Sequence, residues 1–167
     1  MTASLVIQPL NSGHDRQAFE CGVPPLDRYL RELATQDIKR RLGNCFVATE
    51  GDSPAVVAYY TLAASSVPLS ALPESATKRL PHYPLLPATL IGRLAVARPS
   101  HGKGIASMLV IDALHRSARS EPMSFTLLVD AKDDGSVAFY RKLGFIALAS
   151  RPRTLFLPIA TALKLFG

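Results

Sequence analysis

Thr89-Leu90-Ile91-Gly92-Arg93-Leu94-Ala95-Val96-Ala97, followed by His101-Gly102-Lys103-Gly104-Ile105-Ala106, runs from an apolar segment into a glycine loop. The first part predicts a strand covered on both faces. The glycines let the backbone come close to a phosphate. If a helix begins at the loop, its free N–H groups and its dipole favour negative charge there. Strand, loop and helix together make an anion site that a diphosphate would fit; the plainer reading is a glycine turn with no ligand. Two other phosphate loops fail on the same residues. A P-loop needs a hydroxyl after its lysine to reach magnesium, and Lys103 is followed by Gly104. A dinucleotide fingerprint expects glycine where Ser107 stands.

Downstream, Ser107, Val110, Ile111, Leu114 and Ala118 form a helical stripe, with Asp112, His115, Arg116 and Arg119 opposite. Phe125 to Val129 reads as a buried strand. Asp133 or Asp134 can cap a helix carrying Val137, Phe139, Tyr140 and Leu143, which Gly144 stops. Phe145 to Ala149 and Thr154 to Pro158 supply closing strands. Upstream, Leu5 to Pro9 suggests a first strand. Pro24 and Pro25 open a helix in which Leu26, Tyr29, Leu30 and Leu33 recur at helical spacing and which runs on, or restarts, towards Lys39-Arg40-Arg41. Cys45 to Thr49 and Ala55 to Ala63 form a hairpin about Gly51-Asp52-Ser53-Pro54. Five prolines from Val67 to Pro87 leave room only for a short helix over Glu74 to Leu80. The order is mixed α/β.

The chain has 167 residues, the size of one sheet-and-helix domain, and 48% hydrophobic residues, too many for a disordered chain. The net charge of +6 is clustered: Lys39, Arg40 and Arg41; Lys78 and Arg79; Arg116 and Arg119; Arg141 and Lys142; Arg151 and Arg153. Such clusters favour a polyanionic partner; solvated faces are the bland alternative. Cys21 and Cys45 lack the spacing of a zinc site or a disulfide scaffold, which fits a reducing cytoplasm. The stretch from Met1 to Ile7 has neither the basic start nor the apolar length of a signal peptide. Ala55 to Leu72 is uncharged and near spanning length, but its tyrosines, serines and Pro68 favour a strand leading into a loop over a membrane span.

Gly92-Arg93-Leu94-Ala95-Val96 with His101-Gly102-Lys103-Gly104-Ile105-Ala106 resembles motif A of the GNAT acetyltransferases, and Ala138-Phe139-Tyr140-Arg141-Lys142-Leu143-Gly144-Phe145 resembles motif B. The first loop position, usually Gln or Arg, is His101 here, so the side-chain part of pyrophosphate binding departs from the family while the backbone part is kept. Phe19-Glu20-Cys21-Gly22, Tyr59-Tyr60-Thr61-Leu62-Ala63 and Leu80-Pro81-His82-Tyr83-Pro84 extend the likeness to GNAT toxins of bacterial toxin-antitoxin pairs. The resemblance implies a GNAT fold of α/β class (α+β in some schemes). That fold has a central mixed, mostly antiparallel sheet of six to seven strands and about four flanking helices, in one domain over residues 1–167. It implies acetyl-CoA as co-substrate and no metal. The implied reaction is acetylation of the α-amino group of aminoacyl-tRNA, which blocks translation in the cytoplasm. The implied partners are a ribbon-helix-helix antitoxin, a second copy in a homodimer, and operator DNA through the antitoxin complex only, with no membrane.

By that resemblance the amides of Leu94, Ala95 and Val96 hold the thioester oxygen, and His101 to Ala106 hold the pyrophosphate. Tyr140 is the candidate acid for the departing sulfur, with Ser136 one helical turn before it as a further cofactor contact; a core tyrosine with a satisfied hydroxyl is the alternative. An α-amino group titrates near pH 8, so a strong protein base is dispensable. Glu20, Asp130, His82 and His101 remain only as relay candidates. Lys39, Arg40, Arg41, Lys78, Arg79, Arg141 and Arg151 are tRNA-contact candidates by charge. The competing readings are a GNAT acting on a small-molecule amine or a protein N-terminus, and a non-enzymatic CoA- or antitoxin-binding module.

Overall fold

The computed structural model describes residues 4–167, so Met1 to Ala3 of the N-terminal reading lie outside the described residues. Seven strands follow the order β1-β2-β3-β4-β5-β7-β6. The chain divides into two compact units, one up to Ala63 with Gly92–Asp112, the other Ala64–Ile91 with Ala113–Gly167.

In the first unit β1 (Leu5–Pro9) runs antiparallel to β2 (Asn44–Glu50), with Leu5 opposite Glu50, and β2 runs antiparallel to β3 (Ala58–Pro68), with Ala48 opposite Ala58. The expected hairpin is there, but β3 starts three residues later than the composition suggests and continues to Pro68, beyond this unit. The helix expected from Pro24 is present as α1 (Pro24–Arg28), a π-turn over Tyr29–Leu33, and α2 (Ala34–Lys39). The π-turn corrects the predicted stripe. One extra residue rotates the following turn, so Ala34 is buried where the helical period expects Leu33, and Leu33 is exposed. Arg16 holds this geometry, its Nη1 donating to the Leu30 carbonyl at 3.0 Å and to the Thr35 hydroxyl at 3.1 Å. Tyr29, Leu30 and Ala34 pack with Phe19, Val47, Tyr59 and Ala95 as this unit's core.

In the second unit β4 (Leu85–Val96) pairs in parallel with β5 (Thr126–Asp130) from Ala88 opposite Thr126 to Ile91 opposite Val129. Parallel neighbours need a crossover, and α4 (Ile105–Arg119) supplies it. β4 begins earlier than expected, and Pro87 within it is exposed. Gly92 is exposed as well, so the strand is not covered on both faces along its length. β5 and β6 (Ile146–Ala147) each lie antiparallel to β7 (Thr154–Pro158). Between Val67 and Pro87 a short 3-10 turn precedes one turn of helix, α3 (Glu74–Thr77). The core gathers Val67, Leu86, Ala88, Leu128, Leu148 and Phe156.

Two helices differ from expectation. On α4 the buried positions are Ile105, Leu109, Val110, Ala113, Leu114 and Ser117. Of the predicted stripe, Ser107 and Ile111 are half-buried and Ala118 is exposed. The i, i+4 row of Ile105, Leu109, Ala113 and Ser117 faces inward, and small Ala113 and Ser117 are compatible with a close approach. α6 (Ile159–Phe166) was not foreseen, because an eight-residue apolar run after a strand carries little periodic signal. The remaining helix, α5 (Asp134–Lys142), begins as expected: Asp133 is its N-cap and accepts from the Ser136 amide at 2.8 Å. That bond and a second from the Ser136 side chain hold the Asp133 carboxyl below its ordinary range. The helices longer than one turn are therefore the composite helix, α4, α5 and α6. Among the described residues no helix is long and apolar enough to cross a membrane, and no group of three or more His, Cys, Asp or Glu side chains could hold a metal ion.

Candidate active site

The glycine loop lies in the first unit. Gly102 and Gly104 have φ of +79° and +76°, and a Cβ added to either would meet no atom within 4 Å. Glycine is thus required by backbone conformation and not by crowding from the protein, leaving open space over the loop. α4 starts at Ile105, and the first-turn amides of a helix have no intrahelical acceptor. Amides, dipole and space are what a pyrophosphate needs. His101 to Gly104 are exposed. The His101 ring turns back, Nε2 donating to the Val96 carbonyl at 2.7 Å, so it holds the loop to the end of β4. A recess of about 470 Å³ in this unit is lined by Phe19, Glu20, Val56, Arg98 and Lys103 among others.

Leu94, Ala95 and Val96 close β4. Ala95 is buried in the core and the other two are half-buried. On the same strand Gly92 faces Thr61, whose Oγ1 would lie 3.2 Å from an added Cβ. Arg93 lies across the Tyr29 ring, its guanidinium carbon 3.6 Å from the ring centroid. A charge inside the run Leu90 to Val96 was the signal that could have singled Arg93 out.

In the second unit α5 carries Ser136, half-buried, and Tyr140, which is 7% exposed. Phe139 and Phe145 meet the Tyr140 ring edge-on at 5.0 and 5.4 Å. Its hydroxyl differs from those of the other buried tyrosines. Tyr59 donates to the Leu26 carbonyl at 2.6 Å, Tyr29 to Asp37 at 3.0 Å and Tyr60 to Asp112 at 2.5 Å. Among the described residues the Tyr140 hydroxyl has no hydrogen-bond partner. Burial alone pushes its phenol up to about 12, so it stays protonated at neutral pH. The ring is buried, but the hydroxyl is not closed off. Among the described residues the Ser117 hydroxyl is the buried side-chain polar atom left without a partner. The protonated Tyr140 phenol therefore stands at the surface of its pocket, with its proton free for an acceptor.

The relay candidates are divided between the units, Glu20 and His101 in the first, His82 and Asp130 in the second. Glu20 pairs with Arg98 at 3.6 Å, Asp130 accepts from the Thr154 hydroxyl at 2.8 Å, and His82 is exposed. The seven tRNA-contact candidates are all exposed. Lys39, Arg40 and Arg41 lie at the end of α2 in the first unit. Lys78 and Arg79 follow α3, Arg141 is on α5, and Arg151, 4.0 Å from Asp130, precedes β7 in the second.

Residues 86–154 match the acetyltransferase (GNAT) domain family. The chain is 31% identical to the tRNA-acetylating toxin of Mycobacterium tuberculosis, covering 95% of this chain and 94% of that protein. Its fold superposes on the solved structure of AtaT complexed with acetyl-methionyl-tRNAfMet with a TM-score of 0.89, at 30% identity over 98% of this chain and 100% of the other. A mutant AtaT toxin bound to the C-terminus of the antitoxin AtaR and acetyl-CoA gives 0.81, at 27% identity over 97% and 98%. With the glycine loop at the start of α4 and the unpaired phenol of Tyr140, these likenesses show that the chain belongs to the acetyl-CoA-dependent N-acetyltransferases of the GNAT family, among their toxins.

Proposed function

We propose that this protein acts as one catalytic domain over residues 1–167 that acetylates the α-amino group of aminoacyl-tRNA and so stops translation. The observation that carries this reading is the unpaired Tyr140 hydroxyl, a proton donor that the fold itself does not use. The relatives named for acetylating or binding tRNA, and the basic clusters, support the choice of acceptor.

Acetyl-CoA supplies the acyl group as an activated thioester. Amides of His101 to Ala106 and the dipole of α4 bind its pyrophosphate, and Ser136 adds a contact from α5. Amides of Leu94, Ala95 and Val96 hold the thioester oxygen, where negative charge develops as the amine attacks. Tyr140 donates a proton to the sulfur that leaves. An α-amino group near pH 8 is partly neutral in the cell, so Glu20, Asp130, His82 and His101 are not needed as a strong base. Lys39, Arg40, Arg41, Lys78, Arg79, Arg141 and Arg151 provide attraction for the tRNA backbone. The protein works in the cytoplasm as a homodimer. A ribbon-helix-helix antitoxin neutralises it, and the complex represses its own operon through the antitoxin's hold on operator DNA.

The test is to incubate the pure protein with labelled acetyl-CoA and bulk charged tRNA, then release and identify the labelled amino acid. Label on an N-acetylated amino acid is expected. Label that stays in free acetyl-CoA, or that enters deacylated tRNA equally well, overturns the proposal.

A further inference from the structure

Most arginines described in the first unit are committed to a protein partner. Arg16 bonds the Leu30 carbonyl and Thr35, and Arg31 bonds the Phe19 carbonyl at 2.7 Å. Arg28 pairs with Glu32 at 2.8 Å, and Arg98 with Glu20. Arg40 and Arg41 stand exposed beyond α2. Arg93 alone is half-buried and, among the described residues, makes no hydrogen bond and no ion pair. A partly desolvated cation without a counter-charge is costly. What holds it is the Tyr29 ring 3.6 Å away, an attraction that leaves the N–H fork unspent.

The ring beneath it is fixed. Tyr29 donates its hydroxyl to Asp37 and stacks on Tyr59 at 6.2 Å. It begins the π-turn that Arg16 holds in place. A planar fork presented flat on a braced ring suits the oxygens of a phosphodiester. Position narrows the ligand further. Arg93 stands one to three residues before Leu94 to Val96, about 3 to 10 Å along the strand at roughly 3.3 Å per residue. In a 3′-aminoacyl nucleotide the nearest phosphate lies one ribose away from the amine, a separation of the same scale.

Building on the acceptor proposed above, we propose that Arg93, seated on Tyr29, clamps the phosphodiester next to the aminoacylated terminal nucleotide of the RNA. It thereby selects an aminoacyl end carried on a nucleic acid over a free amino acid derivative.

The experiment compares the full-length protein with Arg93→Met and Arg93→Lys on two acceptors, charged tRNA and 3′-aminoacyl-adenosine, which has the amine and ribose but no phosphate. For Arg93→Met the preference in kcat/KM for tRNA over the adenosine ester is expected to fall tenfold or more. The slope of log kcat/KM on tRNA against log salt should flatten by about 0.7 to 0.9, one phosphate contact. Arg93→Lys should keep the slope and recover part of the preference, which sets charge apart from packing, while thermal unfolding reports the fold. Unchanged preference and slope in Arg93→Met overturn the clamp. An equal loss on both acceptors also overturns it, since it marks a structural role. Unchanged tRNA kinetics with weakened binding of an acidic antitoxin segment overturn it too, by giving the guanidinium to a protein interface. If the unaltered protein does not acetylate charged tRNA, the acceptor assignment falls and the clamp with it, an outcome distinct from failure in the variants alone.

Discussion

Replacing Tyr140 by phenylalanine removes one oxygen that bonds to nothing among the described residues, whereas the same change at Tyr59 breaks a 2.6 Å bond to the Leu26 carbonyl. Tyr59→Phe should therefore lose roughly 0.5 to 1.5 kcal/mol of stability. Tyr140→Phe should melt close to the parent, yet its kcat/KM should drop about 10² to 10⁴-fold through loss of the acid. Because burial raises the Tyr140 phenol to about 12, activity in the parent should rise with deprotonation of the acceptor amine around pH 8. It should then stay level to about pH 10, where the phenol still holds its proton. Wild-type-like turnover in Tyr140→Phe, or a falling limb below pH 9, would remove the tyrosine from the mechanism. That the hydroxyl is unpaired could not be read from Ala138 to Phe145, since pairing depends on residues brought near only by folding. Position on the helix could be read there, and the absence of a partner could not. Arg93 stood in plain view in the quoted strand, and only the ring of Tyr29, from a distant helix, gave it meaning.

Elements whose cause is local were legible, and those caused from afar were not. The glycine loop and the Asp133 cap are written within a few residues, and both stand where expected. Within the π-turn the Leu30 carbonyl accepts from Arg16, 14 residues away, and no window around Tyr29 to Leu33 contains that contact. The buried row of α4 likewise follows Ala113 and Ser117, which a hydrophobicity count overlooks. The loop offers a clean test of backbone against contact. Gly104→Val meets no atom but forces a β-branched residue to φ near +76°, costing about 1 to 3 kcal/mol if the geometry is kept. Gly51→Val at φ +56° in the β2–β3 turn imposes a similar strain, also without a clash. Both should lower the melting temperature by several degrees, but only Gly104→Val should weaken acetyl-CoA binding, by tenfold or more in calorimetry. Equal affinities in the two variants would show that the loop does not hold the pyrophosphate.

For the molecule as a whole, burial of ionisable groups sets an alkaline limit on stability. Burial pushes Cys45 from 9.0 to about 12, with the charges of Arg16 and Arg93 opposing, and pushes Tyr140 from 10.0 to about 12. Tyr29 rises to about 12 through burial and its bond to Asp37, and Tyr59 rises further still. In each case the unfolded chain releases its proton at lower pH than the folded one. The native state then binds more protons over that interval, and stability falls as pH rises. The contribution is complete below about pH 9, erodes as pH climbs through 9 to 12, and is gone above the folded values. Cys45 and Tyr140 alone remove on the order of 4 kcal/mol by pH 11, a large share of the 5 to 15 kcal/mol typical of a domain. Urea midpoints should therefore fall steeply between pH 9 and 11, and Cys45→Ala should flatten the first part of that fall even though it creates a small cavity. Midpoints that hold constant to pH 11 would mean that water reaches these groups in the folded protein. The dry setting that keeps the Tyr140 phenol protonated would then be lost as well.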